Sequence, residues 1–299
     1  MGIVPGTALK RLIRVPGSIS NLGAGFDALS VAVRLYLRLR VEHAGPPGGG
    51  LDFRFVDGPL VGENAIEKAL TWIADREGVT LPSLRVRVET EIPLQAGLGS
   101  SGAAIVAGLR LFETIAGPRP LGSLLAAASA IEGHPDNVAA SLLGGLTVSC
   151  QGAGASVLAY ALPWPRQIRF VVLTPAVRLE TKAARRILPE TIPRGDAVFN
   201  VQRAALFLAA IQSRDRTGVR EALRDRLHQP YRQALVPGLE EALTLEHSSL
   251  LGVCLSGAGP SIAALVTGDA APVAKLLQGV YRKTGIKCMV RVLAAQQPF

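Results

Sequence analysis

Residues 93–103 read Pro-Leu-Gln-Ala-Gly-Leu-Gly-Ser-Ser-Gly-Ala, and this segment is the strongest structural signal in the chain. It lies between a predicted strand at residues 84–88 and a predicted helix that starts near Ser100 and ends before Gly117. Glycines let a backbone approach a ligand closely, and a helix N-terminus presents free N–H groups and a positive dipole end to an anion. The segment therefore predicts a phosphate-binding loop. No lysine follows the glycines, which excludes a Walker A loop, whereas a glycine-rich turn with a serine N-cap is an alternative.

A second glycine-containing segment, Asn21-Leu-Gly-Ala-Gly-Phe-Asp27, lies towards the N-terminus. It precedes residues 31–41, where apolar and polar side chains alternate with the period of a strand that buries one face. A polar residue stands at each end of this flexible segment. It is therefore either a ligand-binding loop or a turn that Asn21 and Asp27 cap themselves.

A third segment, Glu132-Gly-His-Pro-Asp-Asn137, follows a predicted helix at residues 121–131 and precedes another helix start. Three ionisable groups within six residues are costly to keep together, which favours a functional cluster. Glu132 can supply a hard oxygen ligand to Mg²⁺, and Asp136 and Asn137 can orient a hydroxyl group. The alternative is a helix-capping turn with Asp136 or Asn137 as the N-cap.

Two further features are weaker signals. Leu255-Ser-Gly-Ala-Gly-Pro-Ser261 indicates a tight glycine turn between two strands, and we interpret it as mainly structural. Arg185 lies on a short helical stretch, and Arg232 lies in the polar segment 229–233. A guanidinium can bind a carboxylate through two parallel hydrogen bonds, although either arginine can equally be a solvated surface residue.

The order of elements predicts an α+β protein of two domains, residues 1–160 and 161–299. The boundary is placed in the glycine- and proline-containing stretch 152–165. Apart from extra helices, the second half has the order β-α-β-β-α-β of a ferredoxin-like domain. The predicted helices of the whole chain lie at 63–77, 100–116, 121–131, 197–212, 218–227, 239–245 and 271–282, and the later strands at 168–173, 251–255, 262–266 and 287–292.

Composition excludes several other classes. The chain has 299 residues, 48% of them hydrophobic, which is enough for a sizeable core and excludes disorder. The net charge of +9 comes from dispersed basic residues and is accompanied by only 5% aromatics, so nucleic-acid binding is not expected. The three cysteines, Cys150, Cys254 and Cys288, show no metal or disulfide spacing and are expected to be buried small hydrophobes.

Targeting signals are also not evident. No apolar run is long and uncharged enough to span a bilayer, and Met1–Arg14 lacks the continuous apolar stretch of a signal peptide. Gly6 stands where a myristoylation signal has Ser or Thr. We therefore expect a soluble cytoplasmic protein with no membrane partner.

Taken together, four segments resemble the homoserine kinases of the GHMP kinase superfamily. They are Val15-Pro-Gly-Ser-Ile-Ser-Asn-Leu-Gly-Ala-Gly-Phe-Asp27, Gly97-Leu-Gly-Ser-Ser101, Glu132–Asn137 and Ser256-Gly-Ala-Gly-Pro260. The glycine-serine loop is shared across the superfamily, whereas Asn21–Asp27 and Glu132–Asn137 are particular to homoserine kinases. The resemblance covers nearly the whole chain.

Departures from the family pattern are confined to small residues in loops. Gly17, Ile19-Ser20, Ala24 and Gly102 replace commoner residues. Ser18 stands where mevalonate and galactose kinases typically have lysine. Those substrate classes are therefore disfavoured.

The resemblance implies an N-terminal domain like a ribosomal-protein α+β domain, a ferredoxin-like C-terminal domain, and an active site between them. It implies that ATP and Mg²⁺ are used to phosphorylate the side-chain hydroxyl of the small-molecule substrate L-homoserine in threonine biosynthesis. Another GHMP kinase activity and a catalytically silent ligand sensor are the alternatives. A homodimer is left open.

The resemblance also assigns residues. Asn64 matches a segment near the adenine. Mg²⁺ would be held by Glu132 together with Ser100 or Ser101, and of these two serines we choose Ser101. The catalytic set is Asn21, Asp27, Asn137 and Arg185. The ATP loop comprises Pro93, Leu94, Gln95, Ala96, Gly97, Leu98, Gly99, Ser100, Ser101, Gly102 and Ala103, and the homoserine site comprises Asn21, Asp27, His134, Asp136, Asn137, Arg185 and Arg232.

Overall fold

The computed structural model describes residues 12–56, 58, 60, 62–154 and 156–299. Within these residues no helix is both long and apolar enough to cross a membrane. The signal-peptide and myristoylation expectations, which concern Met1–Arg14 and Gly6, fall almost entirely outside the described residues.

The strands are β1 (Leu12–Ser20), β2 (Leu29–Pro47), β3 (Leu51–Phe55), β4 (Pro82–Thr90), β5 (Leu146–Gln151), β6 (Val157–Leu162), β7 (Ile168–Pro175), β8 (Leu250–Leu255), β9 (Ile262–Thr267) and β10 (Cys288–Leu293). The helices are α1 (Ala65–Glu77), α2 (Ser100–Ala116), α3 (Leu121–Glu132), α4 (Asp136–Leu143), α5 (Thr181–Arg186), α6 (Arg194–Ser213), α7 (Arg216–Ala222), α8 (Gln229–Arg232), α9 (Leu239–Leu243) and α10 (Ala271–Thr284).

The first sheet has six strands in the order β3-β4-β2-β5-β6, and β1 also pairs with β2. Its longest strand, β2, contains the predicted alternating segment, and Arg34 and Arg40 are exposed as that pattern indicates. Tyr36 is buried instead, because the Arg14 guanidinium lies 4.5 Å from its ring centroid and Gln296 Oε1 accepts a 2.8 Å hydrogen bond from its hydroxyl. The polar face of β2 is thus covered in part by the end of the chain.

Helices α2, α3 and α4 pack on the first sheet, and α1 packs on α2 and α3. The predicted helices at 100–116 and 121–131 are confirmed as α2 and α3, and the helix predicted at 63–77 is confirmed as α1, with Asn64 as its N-cap. Both α2 and α4 contact β1, the strand that leads into the Asn21–Asp27 segment. This contact sets the start of α2 beside that segment.

The second sheet has four antiparallel strands in the order β10-β7-β9-β8. Numbered within this half, the order is 4-1-3-2, which confirms the ferredoxin-like prediction. The stretch 152–165 is not a simple linker, because it contains β6, which pairs with β5 of the first sheet. The first sheet therefore ends at Leu162, just past the predicted boundary at 160.

The two halves share one hydrophobic core. A single cluster of buried residues includes Val31 of the first sheet, Phe112 of α2, and Phe170, Phe207 and Leu265 of the second half. A separate cluster lies under the other face of the second sheet, against α9 and α10. Because the larger cluster is continuous across the halves, we expect them to unfold together.

The cysteines follow the buried expectation only in part. Cys254 is buried, and burial raises the pKa of its thiol to about 12. Cys288 is partly exposed, and Cys150 is exposed, so the expectation for Cys150 is wrong. Cys150 lies opposite exposed Leu158 where β5 pairs with the edge strand β6, so its side chain is left in solvent.

We predict that Phe170→Ala lowers the free energy of unfolding by about 3–5 kcal/mol and leaves a single transition. Phe170 is fully buried in the shared core and stacks on Trp164 at a centroid distance of 5.0 Å. Chemical denaturation followed by circular dichroism and by Trp fluorescence measures both quantities. Tyr160→Ala, at a residue that is 70% exposed, is the matched control and should change the free energy of unfolding by less than about 1 kcal/mol. Two separate transitions in Phe170→Ala would show that the halves unfold independently.

Candidate active site

A cleft with about 590 Å³ of open space brings together the segments singled out in the sequence. Its walls come from segments 20–27, 95–101, 132–137, 179–185 and 257–259, together with Arg232. Residues from both halves of the chain therefore face one cavity.

The glycine-serine loop ends directly at the N-terminus of α2. Gln95, Gly97 and Gly99 have φ values of 53°, 74° and 70°, so the loop turns through the left-handed region three times. Gly99 is the N-cap of α2 and provides no side-chain cap, so the serine N-cap alternative is not seen. The N–H groups of the first turn of a helix have no intrahelical acceptor. This geometry leaves them for an anion in the cleft.

The loop packs against the glycine turn 256–259, which sequence reasoning interpreted as mainly structural. A Cβ atom on Gly97 would lie 2.3 Å from the Ser256 carbonyl oxygen, and the Ser256 hydroxyl donates a 2.6 Å hydrogen bond to the Gly97 carbonyl. Gly257 and Gly259 line the cleft. The glycines of both segments were the available signal, but nothing in their spacing indicated that the two would touch.

Glu132 and Ser101 meet beside the start of α2. The Ser101 hydroxyl donates a 2.7 Å hydrogen bond to Glu132 Oε2. Burial raises the pKa of Glu132 above the usual value, although Ser101 and nearby His134 act in the opposite direction. A half-buried carboxylate next to a hydroxyl oxygen is a donor set that fits a hard cation such as Mg²⁺.

A chain of hydrogen bonds joins the third motif to β1. His134 Nδ1 lies 2.7 Å from Asp136 Oδ1, the Asn137 amide donates to the same oxygen at 3.3 Å, and the Ser18 hydroxyl donates to Asn137 Oδ1 at 2.8 Å. Burial lowers the pKa of His134, but the charges of Asp136 and Glu132 outweigh it and the pKa is raised. The capping alternative is wrong, because Pro135 is the N-cap of α4 and no side chain caps that helix.

Asp27 and Arg185 form a two-pronged ion pair in the cleft. The guanidinium nitrogens of Arg185 lie 2.7 and 2.9 Å from the two carboxylate oxygens of Asp27. Asn21 closes the same loop, since its Oδ1 accepts from the Asp27 N–H at 3.1 Å and its Nδ2 donates to the Gly257 carbonyl at 3.0 Å. Burial lowers the pKa of Arg185, but its pairing with Asp27 outweighs this and raises the pKa.

Arg232 is buried, with 1% of its surface exposed, so the alternative of a solvated surface arginine is wrong. Among the described residues it makes no ion pair and donates instead to the carbonyls of Ala184 and Gly257, at 3.1 and 3.0 Å. Burial and the nearby charge of Arg185 lower the pKa of Arg232 to about 10. A buried cation without a counter-ion at the wall of a cleft is suited to bind an anion.

Some predicted residues lie away from the cleft wall. Asn64 caps α1 through hydrogen bonds from the N–H groups of Ile66 and Glu67, and it does not line the cleft. Of the eleven residues of the predicted ATP loop, Gln95, Gly97, Gly99, Ser100 and Ser101 line the cleft. Phe26, Leu179 and Thr181 line it as well but were not assigned to the site. Phe26 stands within the Asn21–Asp27 motif, where its apolar side chain suggested no ligand contact.

Comparisons with known proteins identify the family. Residues 64–145 match the GHMP kinases N terminal domain, and residues 207–283 match the GHMP kinases C terminal domain. A homoserine kinase of Solibacter usitatus is 40% identical over 91% of this chain and 90% of its own. A homoserine kinase of Thermus thermophilus is 41% identical over 88% of this chain and 89% of its own.

The chain belongs to the homoserine kinase family of GHMP kinases. The crystal structure of homoserine kinase from Cytophaga hutchinsonii has a TM-score of 0.82 at 25% identity and covers 99% of this chain and 98% of its own. The L. major mevalonate kinase in complex with R-mevalonate has a TM-score of 0.72 at 16% identity, covers 100% of this chain and 99% of its own, and shares the fold. Membership of the homoserine kinase family confirms the two-domain α+β fold and the expectation of an ATP-dependent small-molecule kinase.

We predict that Gly97→Ala weakens binding of ADP by about tenfold or more, since a displaced loop loses hydrogen bonds to the phosphates. Gly97 has φ +74°, and its added Cβ would collide with the Ser256 backbone, so the loop must move. Isothermal titration calorimetry with ADP measures the affinity. Gly122→Ala, at a helical glycine whose Cβ would meet nothing within 4 Å, is the matched control and should bind ADP normally. Unchanged ADP affinity in Gly97→Ala would place the phosphates elsewhere.

Proposed function

We propose that this protein transfers the γ-phosphoryl group of ATP to the side-chain hydroxyl of L-homoserine, forming O-phospho-L-homoserine for threonine biosynthesis. The observation that carries the proposal is the composition of one cleft. It combines an uncapped N-terminus of α2 with a carboxylate, Asp27, and two guanidinium groups, Arg185 and Arg232. The first feature suits the phosphates of a nucleotide, and the second suits a small zwitterion. Membership of the homoserine kinase family supports the same substrate.

The phosphate end of the site rests on backbone groups. The N–H groups at the start of α2 and the positive end of its dipole face the cleft beside Ser100 and Ser101. Phosphoryl transfer depends on positioning and on neutralising negative charge more than on covalent chemistry. The phosphate-binding role of residues 93–103 is part of this proposal, as is the contact between Asn64 and the adenine.

Glu132 and Ser101 are the residues that would hold Mg²⁺. When bound, the ion supplies positive charge that neutralises phosphate oxygens. Glu132 already accepts a hydrogen bond from Ser101, and burial raises its pKa despite the opposing charges of His134 and Arg185. The pair therefore has both the ligand chemistry and the need for positive charge.

The acceptor hydroxyl lies, in this proposal, against the third motif. Asn137 and Asp136 orient it, and Ser18 and His134 hold those two side chains in place through their own hydrogen bonds. A loose transition state needs little activation of the nucleophile, so the hydroxyl proton can leave late, to a phosphate oxygen. No step needs a phosphorylated enzyme.

The amino-acid end uses the charged residues. The carboxylate of the substrate binds Arg232 and Arg185, and its ammonium group binds Asp27, held by Asn21. Because Asp27 and Arg185 pair with each other in this structure, a zwitterion can replace both halves of that pair at once. A ligand with only one charge would leave the other partner without a counter-ion in a half-buried site.

Two alternatives are separated by one assay. Another GHMP kinase would turn over a different acceptor, and a silent sensor would bind ligands without releasing ADP. Glu132, Ser101 and Asp27 are all present at the cleft, which favours an active enzyme. A cytoplasmic location and a homodimer stay predictions.

We predict that kcat/KM for L-homoserine exceeds that for mevalonate or galactose by about 10³-fold or more, because a site with buried charged groups rejects analogues that lack the matching groups. ADP release measured with L-homoserine, L-serine, mevalonate and galactose side by side tests this. L-Serine has the same ammonium and carboxylate groups as L-homoserine, so its rate shows the effect of the shorter side chain alone. Equal rates with L-homoserine, mevalonate and galactose would refute the assignment. The absence of ADP release with all four compounds would favour the sensor.

We predict that Glu132→Gln lowers kcat by about 10²-fold or more, as for the loss of one preorganised charge. The side chain keeps its shape, and the Ser101 hydroxyl can still donate to it. Steady-state rates over a Mg²⁺ series, together with the Mg²⁺ dependence of ADP affinity, separate the metal from other effects. Glu246→Gln, at an exposed glutamate, is the control and should behave as the wild type. Normal turnover of Glu132→Gln with an unchanged Mg²⁺ requirement would assign the ion to another residue.

We predict that Asp27→Asn raises KM for L-homoserine sharply and leaves kcat within about tenfold, the pattern of lost uniform binding. The reason is that Asp27 binds the ammonium group and does not remove the hydroxyl proton. Asp52→Asn, at an exposed aspartate on β3, serves as the control. A fall in kcat of about 10³-fold with an unchanged KM would make Asp27 the general base.

A further inference from the structure

His228 lies directly behind Arg232 and is not exposed at all. It is not part of any motif discussed above and does not line the cleft. Its ring stacks on Phe26, which does line the cleft, at a centroid distance of 5.2 Å and an interplanar angle of 22°. A fully buried ionisable ring that contacts two residues of a ligand site is a candidate for a functional role.

The hydrogen bonds of His228 fix its tautomer. Arg232 donates from one guanidinium nitrogen to His228 Nδ1 at 3.2 Å, and His228 Nε2 lies 2.8 Å from the Gly23 carbonyl oxygen. A guanidinium has no acceptor and a carbonyl has no donor. Nδ1 must therefore carry the lone pair and Nε2 the proton, which is the neutral ring.

The surroundings keep the ring neutral and in place. Burial lowers the pKa of His228, and the charge of Arg232 acts in the same direction, although Asp225 opposes them. Asp225 has no exposed side-chain surface, and its Oδ2 accepts from the backbone N–H groups of His228 and Gln229 at 2.9 and 2.6 Å. The start of α8 is thus anchored, and the His228 backbone is held where its ring reaches Arg232.

His228 also joins two parts of the site. Gly23 belongs to the loop that begins at Asn21 and ends at Asp27, whereas Arg232 belongs to α8. The guanidinium carbon of Arg232 lies 5.4 Å from the centroid of Phe26, so Phe26 contacts both His228 and Arg232. One imidazole therefore connects the group proposed to bind the carboxylate with the loop proposed to bind the ammonium group.

We propose that His228 is a positioning residue for substrate binding, which accepts from Arg232 at Nδ1, donates to Gly23 at Nε2, and so aims the guanidinium at the carboxylate of an amino-acid substrate. The role rests on the proposed function. It acts on binding of the amino acid and not on ATP or on the transfer step. His228 touches no substrate.

Two amide variants separate the two hydrogen bonds. In His228→Asn the amide oxygen reaches the position of Nδ1, so it can accept from Arg232 but cannot reach Gly23. In His228→Gln the amide nitrogen reaches the position of Nε2, so it can donate to Gly23 but leaves Arg232 without its acceptor. Both side chains are neutral, polar and smaller than the ring, so both lose the stacking on Phe26 equally.

We expect His228→Gln to raise KM for L-homoserine by about tenfold or more and His228→Asn to leave it within about threefold, because uniform binding is lost only when Arg232 is misaligned. Both variants should keep kcat and KM for ATP within about threefold and lose similar amounts of thermal stability. A merely structural role would change KM in both variants alike. Equal KM values for the two variants, or a larger increase in His228→Asn, would overturn the proposal.

The tautomer gives a readout that does not depend on activity. Long-range ¹H–¹⁵N NMR of the wild-type protein labelled at histidine, with His228→Gln or His228→Asn used for assignment, should show a neutral ring protonated at Nε2 at pH 7. A ring protonated at Nδ1, or a cationic ring, would overturn the proposal even if L-homoserine is the substrate. If the wild type does not turn over L-homoserine, the proposed function fails. The NMR measurement of which ring nitrogen of His228 is protonated still tests whether His228 accepts a hydrogen bond from Arg232. If neither variant folds, segmental labelling of the wild type assigns the signal and the tautomer decides alone.

Discussion

The direct contact between the backbone of the glycine-serine loop and the glycine turn of the second half is the constraint on which the site depends. The Ser256 hydroxyl binds the Gly97 carbonyl, the Ser261 N–H donates to the Ala96 carbonyl at 3.1 Å, and the Gly257 N–H donates to the Ser20 carbonyl at 3.1 Å. Three distant segments therefore meet main chain to main chain. Side chains at these positions would push them apart, so small residues are required where the halves join. This contact, together with the packing of α2 on β1, keeps the start of α2 facing Asp27 and Arg185.

The charges of the cleft are incompletely balanced, and the imbalance agrees with the proposed ligands. Burial shifts the pKa of Glu132 upwards and that of Arg232 downwards, so the opposite charges near each group do not fully offset the cost of burying it. His134 and Arg185 have raised pKa values because carboxylates outweigh the effect of burial. A cation near Glu132 and a carboxylate near Arg232 would restore the balance. Electrostatics and family membership thus lead to the same substrates by separate routes.

Local elements of the fold were predictable from the sequence, and its long-range contacts were not. Helices α2 and α3 and the strands of the second half follow from periodicity and from glycines at their ends, which act over a few residues. Strands β1, β3, β5 and β6 were not predicted. Strands β3, β5 and β6 have only five or six residues each, and β1 is interrupted by an irregularity at Pro16 and Gly17. The ion pair of Asp27 and Arg185 joins residues 158 positions apart. No local pattern encodes such a pair, and the family resemblance assigned both residues to ligand without showing that they bind each other.

The continuous core has a consequence for how such chains can be recombined. Phe170, Phe207 and Leu265 of the second half are buried in the same cluster as Val31 and Phe112 of the first. A second half taken from a distant relative would bring core side chains that pack against a different first half. Cavities and steric overlaps would then form throughout the interface between the two halves. Exchange of substrate specificity between members by shuffling whole halves is therefore obstructed. Change should instead accumulate through the short segments that line the cleft, which can vary while the packing behind them stays intact.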